Sequence, residues 1–288
     1  MRVLVTGATG ILGRETVPRL AAAGHEVRAI SRRPRQEPGV RWLVADLATG
    51  QGVRQAADGV EAVVHLASLP HRGRRTASVD VAGTRRLIEA SAGVAHLLYV
   101  SITGIQHAPV GYFRHKLRAE RLIAQSGLGW TVLRATPFHQ WLDGLLGKAG
   151  PVLPVDPGVA WQPVDAREVA GRLAELLDEG PRKGIEEYGG PEVLGTDVLA
   201  RQWRAARGRR LLLPRMPWPG RVAAAQRRGL LNGPARGRTT WARYLTPAVP
   251  EEEPDLAGEY GGPVIETRGQ QSGRVYGEDD GYEPPTRV

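Results

Sequence analysis

The 288-residue sequence contains no cysteine. Disulfide bonds, thiolate nucleophiles and zinc or iron–sulfur centres held by cysteine are therefore excluded. The sequence also has no run of about 18 apolar residues, the length that a membrane-spanning helix requires, so we predict no membrane span. Its first residues, Met1–Val5, lead directly into glycine-rich sequence and lack the apolar core of a signal peptide. We therefore expect a cytoplasmic protein.

Lysine is almost absent, since only three of the 39 basic side chains are lysines, and the net charge is +9. An excess of arginine is typical of nucleic-acid-binding proteins, and it also arises from a coding bias toward arginine. The positive charges are scattered along the chain rather than grouped in a stripe. We therefore do not expect a nucleic-acid partner, and we expect a small-molecule substrate and a monomer or homodimer.

The chain up to residue 133 alternates short aliphatic runs with stretches of helical periodicity. The predicted strands are Arg2–Thr6, Glu26–Ile30, Arg41–Ala45, Ala62–Leu66, His96–Ser101 and Trp130–Leu133, and the predicted helices are Arg14–Ala23, Val81–Ala90 and Tyr112–Gln125. Nearly continuous aliphatic strands separated by helices indicate a parallel sheet that is covered on both faces. We therefore predict an α/β domain over residues 1–133.

Residues 134–247 show a looser pattern that is richer in proline and glycine. This part contains a predicted strand and four predicted helices: Val159–Val164, and then Asp165–Asp178, Thr196–Arg207, Val222–Leu231 and Arg238–Leu245. We expect a small cap that packs against the first part and is interleaved with it. Residues 248–288 carry ten acidic and three basic side chains with few aliphatic ones. That composition predicts a disordered acidic tail.

A glycine-rich segment directly follows the first predicted strand and opens the first helix. In such a position Gly7 permits a tight turn, Gly10 lets the backbone approach a pyrophosphate, and Gly13 allows close packing of helix and strand. The helix N-terminus presents N–H groups and a positive dipole end to the phosphates. We assign this segment to a dinucleotide site with the contacts Gly7, Thr9, Gly10, Ile11, Leu12 and Gly13.

The residues after the second predicted strand decide which dinucleotide is preferred. An NAD site requires an acidic residue there for the ribose 2′-hydroxyl. This chain has Ser31, Arg32 and Arg33 instead. A guanidinium suits a 2′-phosphate, so we predict NADP with a preference for NADPH over NADH, although Arg32 is also compatible with an ordinary surface position. Asp46 and Leu47 follow the third strand, where the carboxylate is predicted to meet the adenine or to stand in a plain loop.

Six motifs occur in one order along the chain. They are Thr6–Gly13, Asp46-Leu47, His65-Leu66-Ala67, Asp80–Thr84, Tyr99-Val100-Ser101, and Tyr112 followed four residues later by Lys116. Together they resemble the short-chain dehydrogenase/reductase superfamily, and in particular its extended or atypical branch, which includes NmrA-like proteins and NAD(P)H:quinone oxidoreductases. The resemblance covers roughly Met1 to Leu245. It implies a Rossmann-like, doubly wound parallel sheet with a small C-terminal α/β cap, and a substrate held between the sheet edge and this cap.

The resemblance also implies roles for residues outside the glycine segment. In that superfamily a tyrosine and a lysine assist hydride transfer, and here these are Tyr112 and Lys116, which share a helix face. A lysine beside a phenol favours the phenolate, so we expect a lowered pKa for Tyr112. The resemblance further places Leu66, Ala67, Ser68, Ser101, Lys116, Thr136 and Pro137 beside the cofactor. The residues that follow, Phe138, His139 and Trp141, are the candidates for the substrate pocket.

The sequence departs from the family pattern at one position. The resemblance places an assisting hydroxyl where this chain has Ile102. Either Ser101 or Thr103 takes over that role, or Tyr112 alone meets the substrate oxygen, or no catalysis occurs. The histidines show no spacing that, with a carboxylate, would predict a metal site.

Three functions are consistent with these observations. The first is an NADP(H)-dependent oxidoreductase that acts on a small carbonyl or quinone-like substrate, and Tyr112 with Lys116 favours it. The second is a non-catalytic regulatory protein that senses NADP(H), which Ile102 favours. The third, a nucleotide-sugar epimerase or dehydratase, is less well supported, because the cap is short and no carboxylate accompanies Tyr112 in the sequence.

Overall fold

A seven-stranded parallel sheet forms the centre of the computed structural model, which describes residues 1–70 and 74–246. In chain order the strands are β1 (Arg2–Thr6), β2 (Glu26–Ser31), β3 (Val40–Val44), β4 (Ala62–His65), β5 (His96–Ile102), β6 (Trp130–Ala135), β7 (Ala160–Trp161), β8 (Gly184–Tyr188) and β9 (Leu194–Gly195). The main sheet has the order β3-β2-β1-β4-β5-β6-β8, and β7 pairs with β9 in a separate antiparallel ribbon.

Helices cover both faces of this sheet. They are α1 (Ile11–Ala22), α2 (Val53–Ala57), α3 (Arg74–Ala77), α4 (Thr84–Ala90), α5 (Gly111–Ala124), α6 (His139–Gly147), α7 (Ala166–Glu179), α8 (Thr196–Ala206), α9 (Arg221–Arg227) and α10 (Trp241–Leu245). A π-helical segment, Ser78–Gly83, joins α3 to α4. Within the described residues, every helix is too short or too polar to cross a membrane.

The strands alternate their side chains between two buried layers, as the near-continuous aliphatic pattern predicts. In β1, Val3 and Val5 enter a core shared with α1 and α7, whereas Leu4 enters a second core on the opposite face with α2 and α4. In β5, Leu98 belongs to the first layer and Tyr99 to the second. The predicted Rossmann-like α/β fold is confirmed.

The second part of the chain contributes a strand and a helix to the same sheet and core as the first. Strand β8 adds to the main sheet beside β6, and α7 packs against α1. The described residues up to Thr246 form one compact unit, and the predicted division between residues 133 and 134 lies within β6. The predicted tail, residues 248–288, lies outside the described residues.

Several element bounds differ from the sequence-based prediction. The predicted strand Val159–Val164 is reduced to the two residues of β7, because Pro163 has no N–H to donate to a partner strand. The helix predicted to begin at Val81 begins as α4 at Thr84, because Val81 lies in the π-helical segment that follows α3. The last predicted helix, Arg238–Leu245, begins only at Trp241, after Thr240 caps it by accepting a hydrogen bond from the Arg243 N–H.

Candidate functional site

A cavity of about 650 Å³ opens at the carboxyl ends of the strands, where the order reverses between β1 and β4. In open α/β sheets such a reversal leaves a crevice that binds ligands. The segments that line it follow β1, β2, β3 and β4 and include α3 and the start of the π-helical segment. The lining residues are Gly7, Thr9, Gly10, Ile30–Arg32, Ala45–Thr49, Leu66–Leu69, Arg75, Ser78 and Val79.

The glycine segment has the geometry of a phosphate-binding loop. Gly7 has a φ of +68°, and a Cβ there would lie 2.5 Å from the Ala67 backbone nitrogen. A Cβ on Gly13 would lie closer still to the Gly7 carbonyl oxygen, whereas one on Gly10 would keep 3.2 Å from it. Gly10 is also the N-cap of α1 and supplies no side-chain cap. The free N–H groups of the first turn and the bare backbone therefore fit a pyrophosphate.

A buried histidine ties this loop to the sheet. His65 is fully buried, and its Nδ1 and Nε2 lie 2.7 Å and 2.9 Å from the hydroxyl oxygens of Thr6 and Thr84. Thr84 donates its hydroxyl proton to the Asp80 carbonyl, so it accepts from His65 Nε2–H, and His65 Nδ1 accepts from Thr6. Burial, with a smaller effect of Lys116, lowers the pKa of His65 to about 3. His65 is therefore a neutral structural residue.

This histidine predicts a pH-dependent stability. The folded pKa of about 3 lies below the ordinary value of 6.5, so the stabilisation is complete above about pH 6.5 and is lost as the pH falls toward 3. We expect His65→Gln to remove this part of the pH dependence, which amounts to about 3 kcal/mol at pH ~4.5. Urea unfolding of both proteins at neutral and acidic pH measures it. Parallel pH dependences of the two proteins would contradict the assignment.

The end of the cavity that follows β2 is positively charged. Ser31 and Arg32 line the main cavity and also a neighbouring one of about 410 Å³, together with Thr9, Arg33 and Arg35. The Ser31 hydroxyl accepts a hydrogen bond from the Arg33 N–H. Across the main cavity, Asp46 accepts a hydrogen bond from the Ala48 N–H at 2.8 Å, and Leu47 lies beside it. Three guanidinium groups thus follow β2.

Lys116 lies on α5 and is buried beneath the end of β5. Its Nζ donates to the Val100 carbonyl at 2.6 Å and lies 4.2 Å from the centre of the Tyr99 ring. Burial lowers the pKa of Lys116 to about 8, against the opposing effect of the Asp80 and Glu120 carboxylates.

Tyr112, one turn earlier on α5, has its hydroxyl oxygen 2.6 Å from Ser68 Oγ, which lines the cavity. Burial, and then the charge of Asp80, raises the pKa of Tyr112 well above its ordinary value. The expectation that Lys116 lowers this pKa is therefore wrong, because burial disfavours the phenolate and the nearest carboxylate opposes it.

Asp80 is the site residue that the sequence analysis missed. It is almost fully buried in the π-helical segment, and its carboxylate accepts from Ser68 Oγ at 2.5 Å and from the Leu69 N–H at 3.0 Å. The Asp80 carboxylate is thus connected to Tyr112 through the Ser68 hydroxyl. The expectation that no carboxylate accompanies Tyr112 is therefore wrong. The position of Asp80 at the head of the Asp80–Thr84 motif was the available signal.

A buried ion pair anchors α5 beneath the site. Glu120, one turn beyond Lys116, accepts two hydrogen bonds from Arg134 on β6, at 3.1 Å and 2.7 Å. The same guanidinium donates to Gln106 Oε1 at 2.9 Å. Paired, bidentate contacts of this kind fix a helix in register on a sheet. The sequence analysis did not name Glu120, and its spacing of four residues from Lys116 on the same helix was the available signal.

Ser101 and Thr103 are the candidates for supplying the hydroxyl that Ile102 lacks, and both are buried. Thr103 is 1% exposed and donates its hydroxyl to the Arg134 carbonyl at 3.2 Å. Gly233, from the segment after α9, lies over its side chain. Ser101 is 2% exposed, and its hydroxyl has no hydrogen-bond partner among the described residues.

The remaining predicted residues lie apart from the cavity lining. Of the loop residues, Leu12 and Gly13 are buried against the sheet, and Ile11 is partly exposed. Thr136 is buried and accepts from the Gly190 N–H, and Pro137 pairs through its carbonyl with Val164. The pocket candidates are Phe138, which packs on the first core layer, His139, which is fully buried against Trp241 and Tyr244, and Trp141, which packs on Trp161.

Burial of His139 is a correction to its assignment to the substrate pocket. The first turn of α6 directs its ring between α6 and α10, where burial lowers its pKa to about 4. A side chain with no exposed surface does not meet a substrate. Among the described residues, no group of three or more acidic or histidine side chains is placed to hold a metal ion.

Comparison with known proteins identifies the family. The family model described as NAD(P)H-binding matches residues 7–179. An uncharacterised protein of Mycobacterium tuberculosis is 33% identical over 196 residues, and this chain covers 21% of its length. A (4-alkanoyl-5-oxo-2,5-dihydrofuran-3-yl)methyl phosphate reductase of Streptomyces griseus is 31% identical over 223 residues, which are 73% of this chain and 75% of the reductase.

A solved structure has the same fold. The NADPH-dependent quinone oxidoreductase of Escherichia coli, in complex with NADPH, superposes with a TM-score of 0.71 at 20% identity, over 84% of this chain and 98% of that one. The match of the NAD(P)H-binding model to more than half of the chain agrees with the loop, the cavity and the sheet. The chain belongs to the family described as NAD(P)H-binding.

Proposed function

We propose that this protein is an NADP(H)-dependent oxidoreductase that transfers hydride between the nicotinamide and a small carbonyl or quinone-like substrate. The observation that carries the proposal is the single cavity that joins three features. The cavity is lined by the glycine loop at Gly7 and Gly10 and by the guanidinium-bearing Arg32. It is also lined by Ser68, whose hydroxyl is hydrogen-bonded to Tyr112. A glycine loop for the pyrophosphate and an arginine for the 2′-phosphate are the features that an NADP site of this fold requires along one crevice.

The residues that would hold the cofactor follow from the cavity lining. The backbone of Gly7, Thr9 and Gly10 would bind the pyrophosphate, and Arg32 would bind the 2′-phosphate with Arg33 beside it. Lys116 would reach the nicotinamide ribose with the N–H bonds that its contact to Val100 leaves free. When bound, the nicotinamide supplies a hydride donor or acceptor.

Tyr112 would serve the substrate oxygen. Its hydroxyl lies 2.6 Å from the hydroxyl of Ser68, which lines the cavity. The test is turnover of NADPH with a panel of quinones and small carbonyl compounds, followed by the loss of nicotinamide absorbance. Substrate-dependent oxidation of NADPH is expected. If NADPH binds but no compound increases its oxidation, the enzymatic function fails.

The 2′-phosphate assignment gives a separate prediction. Replacing Arg32 by alanine removes a charge-assisted contact, so we expect NADPH affinity to fall about tenfold to a hundredfold while NADH affinity stays unchanged. Nicotinamide fluorescence titration measures both affinities at one salt concentration. Arg54→Ala, on α2, is the matched control, because it removes the same charge away from the cavity. An unchanged NADPH/NADH ratio in Arg32→Ala would refute the role.

A second candidate is a regulatory protein that binds NADP(H) without turnover. Two observations favour it: Ile102 stands where the family has a hydroxyl, and burial holds Tyr112 in its neutral form. NADPH binding together with a complete lack of turnover in the panel would support this alternative. We also propose that the protein is a monomer or a homodimer.

A further inference from the structure

A long segment without acidic side chains lies in the second part of the chain. Residues 198–246 carry twelve arginines and no aspartate or glutamate, a local concentration within the otherwise scattered positive charge. Part of this segment, residues 212–216, pairs in parallel with residues 151–155. We call these two paired strips the parallel ribbon.

The parallel ribbon presents aliphatic side chains to solvent. Leu211 is buried and Leu213 is half-buried in the core that α6, α8 and α10 share, whereas Leu212 between them is 69% exposed. Val152, its partner on the other strip, is 49% exposed, and Met216 is 50% exposed. The alternation of side chains along an extended strip turns Leu212 away from the core. A side chain with so much exposed surface lies on top of the molecule and does not line a groove.

Cations accompany these aliphatic side chains. Arg210, Arg215 and Lys148 are exposed, and the described residues include no acidic partner for any of the three. The two carboxylates of the neighbouring segment, Asp143 and Asp156, are each already paired with an arginine. Arg210 lies two residues before Leu212, so alternation places both side chains on one face of the strip. The surface is therefore apolar and positively charged at once.

The parallel ribbon is held firmly on the body of the protein. Asp156, at the end of one strip, accepts a hydrogen bond from the Trp218 N–H at 2.7 Å and forms an ion pair with Arg227. Arg204 on α8 donates to the Leu211 carbonyl at 3.0 Å. A surface that is already ordered loses little conformational entropy when it binds a partner.

We propose that the parallel ribbon is a membrane-contact surface, which binds the headgroup layer of a bilayer that contains anionic lipid. Exposed aliphatic side chains beside unpaired cations are the combination by which peripheral proteins bind such a layer. Leu212, Val152 and Met216 enter the boundary between headgroups and acyl chains. Arg210 and Arg215 contact the lipid phosphates. This inference does not depend on the proposed function.

Other occupants fit these observations less well. A nucleic acid would meet the arginines and gain nothing from Leu212 and Met216, because its phosphates do not bury aliphatic side chains. A second copy of the chain, related by a two-fold axis through the ribbon, would bring the arginines of one copy against those of the other. A soluble acidic protein would match the charge, and a peptide of that kind is included in the test.

The test is cosedimentation of the full chain with vesicles of phosphatidylcholine alone and with vesicles that also contain phosphatidylglycerol. We expect binding to the anionic vesicles that weakens as the salt concentration rises, and little binding to the neutral ones. Leu212→Ser combined with Met216→Ser should lower the partition coefficient at least about tenfold, because two apolar side chains no longer leave water. Arg210→Gln and Arg215→Gln should each lower it about fivefold.

Matched controls change the same side-chain types elsewhere on the surface. Ile185→Ser combined with Val193→Ser replaces two apolar side chains that are each 50% exposed, beside β8. Arg118→Gln combined with Arg121→Gln removes two exposed charges from α5. Both controls should keep at least half of the wild-type partition coefficient. Every replaced side chain is exposed or half-exposed, so the unfolding midpoints in urea should match wild type.

Three results would overturn the proposal. The first is the absence of binding to either kind of vesicle, and the second is binding that the ribbon variants and the controls lower equally. The third is binding of poly-L-glutamate, weakened by Leu212→Ser with Met216→Ser, without any binding to vesicles, which would assign the ribbon to an acidic protein. None of these results depends on whether NADPH binds or is oxidised.

Discussion

Replacing Gly7 by alanine is expected to abolish NADPH binding and to destabilise the protein. The residue has a φ of +68°, and its new Cβ would lie 2.5 Å from the Ala67 backbone nitrogen, an atom that has no free rotation by which to move. The left-handed conformation costs alanine about 1–2 kcal/mol, and displacement of the loop adds to it, so we expect about 3 kcal/mol or more in total. NADPH affinity should fall by at least about a hundredfold. Urea unfolding and fluorescence titration measure the two effects.

Gly24 provides the control for conformation alone. Its φ is +83°, and a Cβ there meets nothing within 4 Å. Gly24→Ala should therefore lose only about 1–2 kcal/mol of stability and keep full NADPH affinity. If Gly7→Ala binds NADPH as tightly as Gly24→Ala does, the loop is not the phosphate site.

Removing the hydroxyl of Tyr112 has the largest expected effect on turnover. We expect Tyr112→Phe to lower kcat about a hundredfold to ten-thousandfold with little change in NADPH affinity, because proton transfer to or from the substrate oxygen is lost. Steady-state kinetics with the compound found in the quinone and carbonyl panel, beside a cofactor titration, measure this. The ring contact with Phe113 is kept in the variant, so packing changes little.

Tyr188→Phe is the matched control for that variant. Tyr188 lies at the end of β8, and among the described residues its hydroxyl makes one long contact, 3.5 Å, to the Arg236 carbonyl. Its loss should leave kcat unchanged. Full turnover by Tyr112→Phe would remove the tyrosine from the mechanism.

The sequence predicts the fold and the cofactor end of the site, because both depend on local pattern. The strand β1, the glycine turn and α1 follow one another within about 20 residues, and their order fixes where Gly7 and Gly10 meet the crevice. Arg32 follows from its place after β2 in the same way. These inferences need only the chain direction and the rule for parallel sheets.

The substrate end could not be predicted in full, because it depends on contacts between distant segments. Ser68 and Tyr112 are 44 residues apart, and Asp80 reaches them only because a π-helical segment turns its carboxylate inward. No periodicity in the sequence signals that turn. His139 was misassigned for the same reason, since its burial depends on α10, about 100 residues later.

Titration of the purified protein with NADPH, and separately with NADH, tests the central claim most directly. Nicotinamide fluorescence at fixed salt reports both affinities. The account predicts saturable NADPH binding at least about tenfold tighter than NADH binding, from the 2′-phosphate contact. Binding of neither dinucleotide would contradict it, and would mean that the glycine loop and the cavity beside it do not hold the cofactor.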